Sequence, residues 1–257
     1  MKKDYSSYGQ TSDQIDSMES NSKDFGELNQ NSISNKNSQI RLKPTEKYRL
    51  KESLTLTQAF RLFTTQFTCW FLGAFFIFAL AYRISFGHFS TVDLYTVVTA
   101  LVLQPFAEWA IHVFILHLKP KKIFRFTYEP IVTKMHRLHH QDPKNLKLVF
   151  VPKIVIILLA TGSILLPLRY LPRGQALTLI VTIAAILLYY EWIHYLIHSS
   201  YKPKHKLYRT IWRSHRLHHF RNERYWFGVV TNVADHVLRT FPEKNEVPLS
   251  PTAKTLS

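Results

Sequence analysis

The stretch LFTTQFTCWFLGAFFIFALAY, residues 62–82, runs for 21 residues without one charged side chain. At 1.5 Å per residue, a helix of that length is about 31 Å long, close to the hydrocarbon thickness of a bilayer. It predicts a membrane-spanning helix. Three shorter uncharged runs follow at 94–107, 154–168 and 174–190. Each is short enough to be a buried core helix instead. Taken together they predict an all-α integral membrane fold of four transmembrane helices in two hairpins, spanning about 62–82, 94–112, 154–168 and 174–194.

The flanks differ in kind. Residues 1–50 are rich in Ser, Asn, Gln, Asp and Lys, and too poor in apolar residues to offset the entropy of ordering. They are expected to form a disordered polar tail. A basic segment, RLKPTEKYRLKES, joins this tail to a membrane domain expected over 51–245, and 246–257 reads as a C-terminal tail. The first apolar run lies far from the start of the chain, so no secretory signal peptide is expected. The single cysteine, Cys69, sits inside that run and excludes an intrachain disulfide.

Charge placement orients the spans. Of 33 Lys and Arg residues, 30 fall in 1–61, 119–153 and 195–257, and only 3 in the intervening loops 83–93 and 169–175. Basic residues collect on the cytoplasmic side of membrane proteins, so both termini are expected there. The net charge of +16 therefore reports topology and contact with anionic headgroups. No nucleic-acid-binding motif accompanies it, and a nucleic-acid partner is not expected.

The histidines carry the chemistry. HRLHH occurs at 136–140 and again at 215–219, with HVFILH at 112–117 and HYLIH at 194–198 upstream. At this chain's histidine frequency, one HxxHH is expected about 0.03 times by chance. On a helix, the three histidines of HxxHH span an arc of about 100°, and His194 and His198 lie one turn apart. His112 and His117 are five apart, about 140° around a regular helix, so they reach different metals or the helix unwinds between them. Counting from the start of each span, both pairs emerge at the cytoplasmic rim, beside the two boxes. Ten imidazoles exceed the four to six ligands of one ion, which points to two metals with four or five nitrogens each. Only neutral imidazole ligates, so acid should release the metals.

Other polar residues are assigned by position. Glu108 and Glu191 sit about one helical turn before a histidine pair. There each can accept an N–H from a ligating imidazole, or pair with a nearby Lys or Arg. Asp235 is a similar candidate. His88 belongs to the opposite side and His205 to a basic loop, while His236 is ambiguous. Arg216, Arg221 and Arg224 could meet an anionic head group or an acidic electron donor, or simply set topology. The Arg and Leu of HRLHH carry no chemistry in this reading. Each half pairs an EW-led histidine pair with an HRLHH box, through duplication or through a shared ligand demand.

Over 94–243 the chain resembles the fatty acid hydroxylase and sterol desaturase superfamily of membrane di-iron enzymes. Its look is that of the fatty-acid 2-hydroxylase branch. EWAIHVFILHLKP, HRLHHQDPKNLKLVFVP, HYLIH and HRLHHFRNERYWFGVVTNVADHVLRT are similar to that branch's histidine boxes and closing segments, except that Ala234 stands where Trp is usual. The resemblance implies a cytosolic helical cap holding two iron ions, with zinc able to occupy the same nitrogens. It implies ligation by His112, His117, His136, His139, His140, His194, His198, His215, His218 and His219. It also implies O2 as co-substrate, a membrane lipid or fatty acyl substrate, and O2-dependent hydroxylation of its acyl chain. Relatives often carry a fused cytochrome b5 domain. This chain has no His-Pro-Gly-Gly segment, so a separate cytochrome b5-like or ferredoxin-like donor is expected. Sterol C4-methyl oxidation, carotenoid hydroxylation and desaturation remain alternatives, as does a membrane metal carrier or sensor. No substrate-binding residue can be named from the sequence.

Overall fold

Four long apolar helices organise this computed structural model, which describes residues 53–256. The polar tail expected over 1–50 lies outside the described residues. Helix α1, Leu56–Phe63, opens on a capping box in which the Thr55 hydroxyl accepts from the Gln58 amide and the Thr55 amide donates to the Gln58 side chain. The hydroxyls of Thr64 and Thr65 then fold back onto the carbonyls of Arg61 and Leu62, at 2.8 and 2.7 Å. These local bonds compete with helix continuation. The uncharged run is thereby cut, and the spanning helix α2 covers Phe67–Phe86.

Helix α3, Thr91–Ile111, starts at a Ser90–Asp93 capping box and passes into a π-helical turn at His112–Leu116. Two short antiparallel strands follow, β1 (Lys121–Ile123) and β2 (Phe126–Tyr128), for which the all-α expectation has no place. Then come α4 (Ile131–Gln141), α5 (Leu146–Val149), α6 (Lys153–Tyr170), α7 (Arg173–His198), α8 (Lys206–Phe220) and α9 (Val233–Val237). The segments long and apolar enough to cross a membrane are 67–86, 91–116, 146–170 and 173–198. The last three outrun their uncharged stretches, and the first reaches past Tyr82, because helices continue through terminal charged residues such as Arg83 and Arg173, whose long stems carry the charge outward or into a pair.

Helix α7 is the hub. It packs against α2, α3 and α6, and it is the most buried of the four. One end of this packing is tied by a polar network. Buried Arg83 pairs with Asp93 at 2.9 Å and donates to the Thr178 hydroxyl at 2.7 Å, and Thr178 in turn donates to Asp93. Arg83 closes α2, while Asp93 and Thr178 lie near the starts of α3 and α7. The carboxyl-terminal ends of α3 and α7 are therefore together at the other end, where α3 passes into the turn that starts at His112 and α7 carries His194 and His198.

The segment expected as a C-terminal tail runs across that histidine end. Val247, Ala253 and Leu256 are buried. Arg221 donates to the Val247 carbonyl at 2.8 Å and accepts the Ser250 amide on its own carbonyl at 2.8 Å. Arg137, the second letter of the first HRLHH box, donates to the carbonyls of Thr255 and Leu256 at 2.9 and 2.8 Å and pairs with Glu129 at 2.9 Å. Its counterpart Arg216 stacks on the Trp212 ring at 4.6 Å. The arginines of the boxes thus have structural work that the sequence reading did not give them.

Candidate metal centre

The π-helical turn settles how His112 and His117 are used. A hydrogen bond of 3.2 Å from the His117 amide to the His112 carbonyl closes an i to i+5 loop, which brings residues five apart onto one face. Both rings therefore enter the same cluster.

All ten histidines of the four motifs converge, in two sets. His112, His117, His136, His140 and His218 form one; His139, His194, His198, His215 and His219 form the other. Within each set, the five nitrogens lie within 4.8 Å of one another. The sets adjoin, with the His140 and His219 ring centroids 4.1 Å apart. Each HRLHH box is split between them. The first and fifth residues of a box, one helical turn apart, join the set of the preceding pair. The fourth residue crosses to the other set: His139 joins the α7 pair, and His218 joins the α3 pair.

Hydrogen bonding fixes the proton positions in the first set. The Nδ1 atoms of His112, His140 and His218 meet the carbonyls of Phe227, Ala253 and Tyr225 at 2.6, 2.8 and 2.8 Å. A carbonyl only accepts, so each Nδ1 carries the proton and each Nε2 presents a lone pair. Two of these, from His112 and His140, face the Nε2 of His136 at 3.2 and 3.1 Å. One nitrogen holds at most one proton and can satisfy only one of them. The Nε2 atoms of His117 and His218 have no hydrogen-bond partner among the described residues. In the second set, His139 and His198 oppose Nε2 atoms at 3.1 Å, as do His215 and His219. Buried lone pairs in excess of protons are the donor set of a cation, and all-nitrogen coordination suits a transition metal.

The rings are also held neutral. Burial, followed by repulsion between neighbouring rings, lowers His136, His139, His215 and His219 well below the ordinary imidazole range. Burial takes His140 down to about 3. Above the ordinary value of 6.5 these groups are neutral in both folded and unfolded chains, so stability is level. Below it the unfolded chain binds protons that the folded chain refuses, and stability falls by about 1.4 kcal/mol per pH unit for each such ring. The midpoint of thermal unfolding should accordingly be flat from pH 8 to about 6.5 and drop steeply beneath it. A midpoint unchanged at about pH 5 would contradict the burial of these rings.

The carboxylates act at one remove. Glu108 accepts the amides of Val229 and Val230, at 2.5 and 3.1 Å, and the Gln104 amide at 2.6 Å. Glu191 accepts the Val151 amide at 3.2 Å. Each glutamate ties a span to a distant loop instead of meeting an imidazole or a basic side chain. Asp235 accepts the amides of Phe227 and Gly228, at 3.0 and 2.7 Å, and the Thr240 hydroxyl at 2.6 Å. Burial raises its pKa, against the pull of those donors. Because the Phe227 carbonyl holds His112, Asp235 supports the first set through a single residue. His88, His205 and His236 are exposed and outside both sets, with the His236 ring tilted 36° against Phe241 at a centroid distance of 4.2 Å. The supporting carbonyls of Tyr225, Phe227 and Ala253 went unforeseen, since a backbone group leaves no side-chain signal.

A family model described as fatty acid hydroxylase matches residues 97–240, a span that includes all ten clustered histidines. This chain belongs to the fatty acid hydroxylase family. Two Arabidopsis thaliana proteins named dihydroceramide fatty acyl 2-hydroxylase are similar to this fatty acid hydroxylase family member. FAH2 is 29% identical over 136 residues, covering 52% of this chain and 55% of the relative. FAH1 is 26% identical over 154 residues, covering 57% and 60%. The family member thus spans little more than half the length of these curated relatives. Among solved structures, full-length scs7p, of which only the hydroxylase domain is visible, matches with a TM-score of 0.58 at 19% identity, covering 71% of this chain and 69% of that one. That likeness is one of fold.

Proposed function

We propose that this protein is an O2-dependent hydroxylase of a lipid acyl chain, with two iron ions held by its ten clustered histidines. The carrying observation is the pair of five-imidazole sets at one end of four apolar helices. His112, His117, His136, His140 and His218 would hold one ion, and His139, His194, His198, His215 and His219 the other. Bound iron would supply the O2-activating redox chemistry that an unactivated C–H bond requires, beyond the reach of any acid or base on this chain. The protein's own residues keep the rings neutral, fix their tautomers through the carbonyls of Phe227, Tyr225 and Ala253, and exclude water by burial. Glu108 and Asp235 stiffen the loop that carries Tyr225 and Phe227, while Glu191 ties α7 to the Val151 segment.

The printed activity of the two plant relatives supports an N-acyl lipid substrate oxidised at the carbon beside its carbonyl. The distribution of basic residues supports a cytoplasmic histidine end and cytoplasmic termini, with the spans arranged as two hairpins beneath a cytosolic cap. A separate electron carrier would approach from that side. In a strain lacking this protein, acyl species one oxygen heavier than their precursors should vanish. The purified protein should bind about two irons per chain on anaerobic reconstitution. An unchanged lipid profile together with one or no iron would overturn the assignment.

A further inference from the structure

We propose that the β1–β2 hairpin is a lipid-facing finger that rests on the anionic surface of the bilayer crossed by the four helices. The hairpin links the π-helical turn to α4, and so lies between His117 and the first HRLHH box. All six strand residues are exposed. At its tip Phe124 is 100% exposed and sits at a φ of 53°, a left-handed conformation that bulky residues rarely adopt.

The register makes the ribbon two-faced. Lys121 pairs with Tyr128, Lys122 with Thr127 and Ile123 with Phe126. Side chains alternate across a strand, so Ile123, Phe126 and Tyr128 share one face with Lys121, while Lys122 and Thr127 share the other. A two-stranded hairpin is marginal in water unless its apolar face is covered. Neither strand contains a buried residue to provide that cover.

Position and charge name the occupant. Strand β1 begins five residues after Leu116, the last residue of the second membrane segment. Five extended residues reach at most about 18 Å, which keeps the hairpin within range of the headgroup layer. Between 119 and 128 the chain carries Lys119, Lys121, Lys122 and Arg125 and no acidic residue. The next, Glu129, is engaged by Arg137. The Arg125 guanidinium lies 5.3 Å from the Phe126 ring centroid. Aromatic rings interleaved with cations suit the boundary between acyl chains and anionic headgroups. Docked there, the finger would hold the segment between His117 and the first box against the membrane. This inference depends on the membrane segments and stands apart from the reaction catalysed.

The test uses the full chain in lipid nanodiscs, with Cys69→Ser as background and one nitroxide placed at Phe124→Cys or at Thr127→Cys. The discs contain phosphatidylcholine alone or with phosphatidylserine. In the anionic discs, the label at 124 should lie about 5–10 Å below the headgroups, open to O2 and shielded from a water-soluble nickel chelate, while the label at 127 stays in water. Removing phosphatidylserine, or combining Lys121→Glu, Lys122→Glu and Arg125→Glu, should move the label at 124 outward. Equal chelate access at the two positions in anionic discs would overturn the proposal. A depth indifferent to lipid charge would also overturn it, as would shielding that appears only when a soluble protein is added.

Discussion

Replacing His140 with Ala is expected to reduce turnover at least about 100-fold and to empty the first metal position, while the four membrane segments insert as before. His140 directs Nε2 toward His136 and fixes Nδ1 against the Ala253 carbonyl, so its removal subtracts a donor and leaves a buried carbonyl unpaired. It touches none of the polar network that ties α2, α3 and α7 at the far end. Iron per chain, acyl hydroxylation and membrane fractionation measure the three parts separately. Retained turnover would remove His140 from the ligand set. His139→Ala sharpens the test. Although adjacent in sequence, it should empty the position served by the α7 pair, because its ring lies in the other set. His236→Ala, on an exposed ring outside both sets, should leave iron content and turnover alone.

Gly228→Ala is expected to cost about 2–3 kcal/mol of stability and to weaken metal binding about 10- to 100-fold. An added Cβ would lie 2.2 Å from the Thr231 carbonyl oxygen and 3.0 Å from the Asp235 carboxylate. The nearer atom is backbone and cannot swing aside. The loop must shift, and that shift disturbs the amides of Phe227 and Gly228 on Asp235 together with the Phe227 carbonyl on His112. This variant should unfold at lower temperature even without metal, while all ten histidines stay in place. A midpoint and iron content equal to those of the parent chain would show that the loop tolerates the methyl group.

The membrane fold was legible because hydropathy and charge act locally. Runs without charge marked the four segments. The missed details depend on hydrogen bonds that hydropathy does not record. Thr64 and Thr65 fold back and divide the first run, so that α2 begins at Phe67. Lys121–Tyr128 forms a hairpin whose pairing is set across a turn. Glu108 and Glu191 were expected to meet an imidazole or a basic side chain, but their partners are amides that the fold brings from residues 229, 230 and 151. Arg137 looked idle because the carbonyls it holds lie more than a hundred residues away.

By itself the sequence determined the number of long apolar helices and the ten histidines that gather at one end of them, since spacing along a helix puts residues i, i+3 and i+4 on one side. The tertiary structure alone decided how those rings are shared. A π-helical turn brings His112 and His117 together, and the meeting of the two boxes ring to ring puts the fourth histidine of each into the opposite set. Helical periodicity limits the faces a side chain can present, whereas the ring across from it is chosen by contacts between segments far apart in the chain.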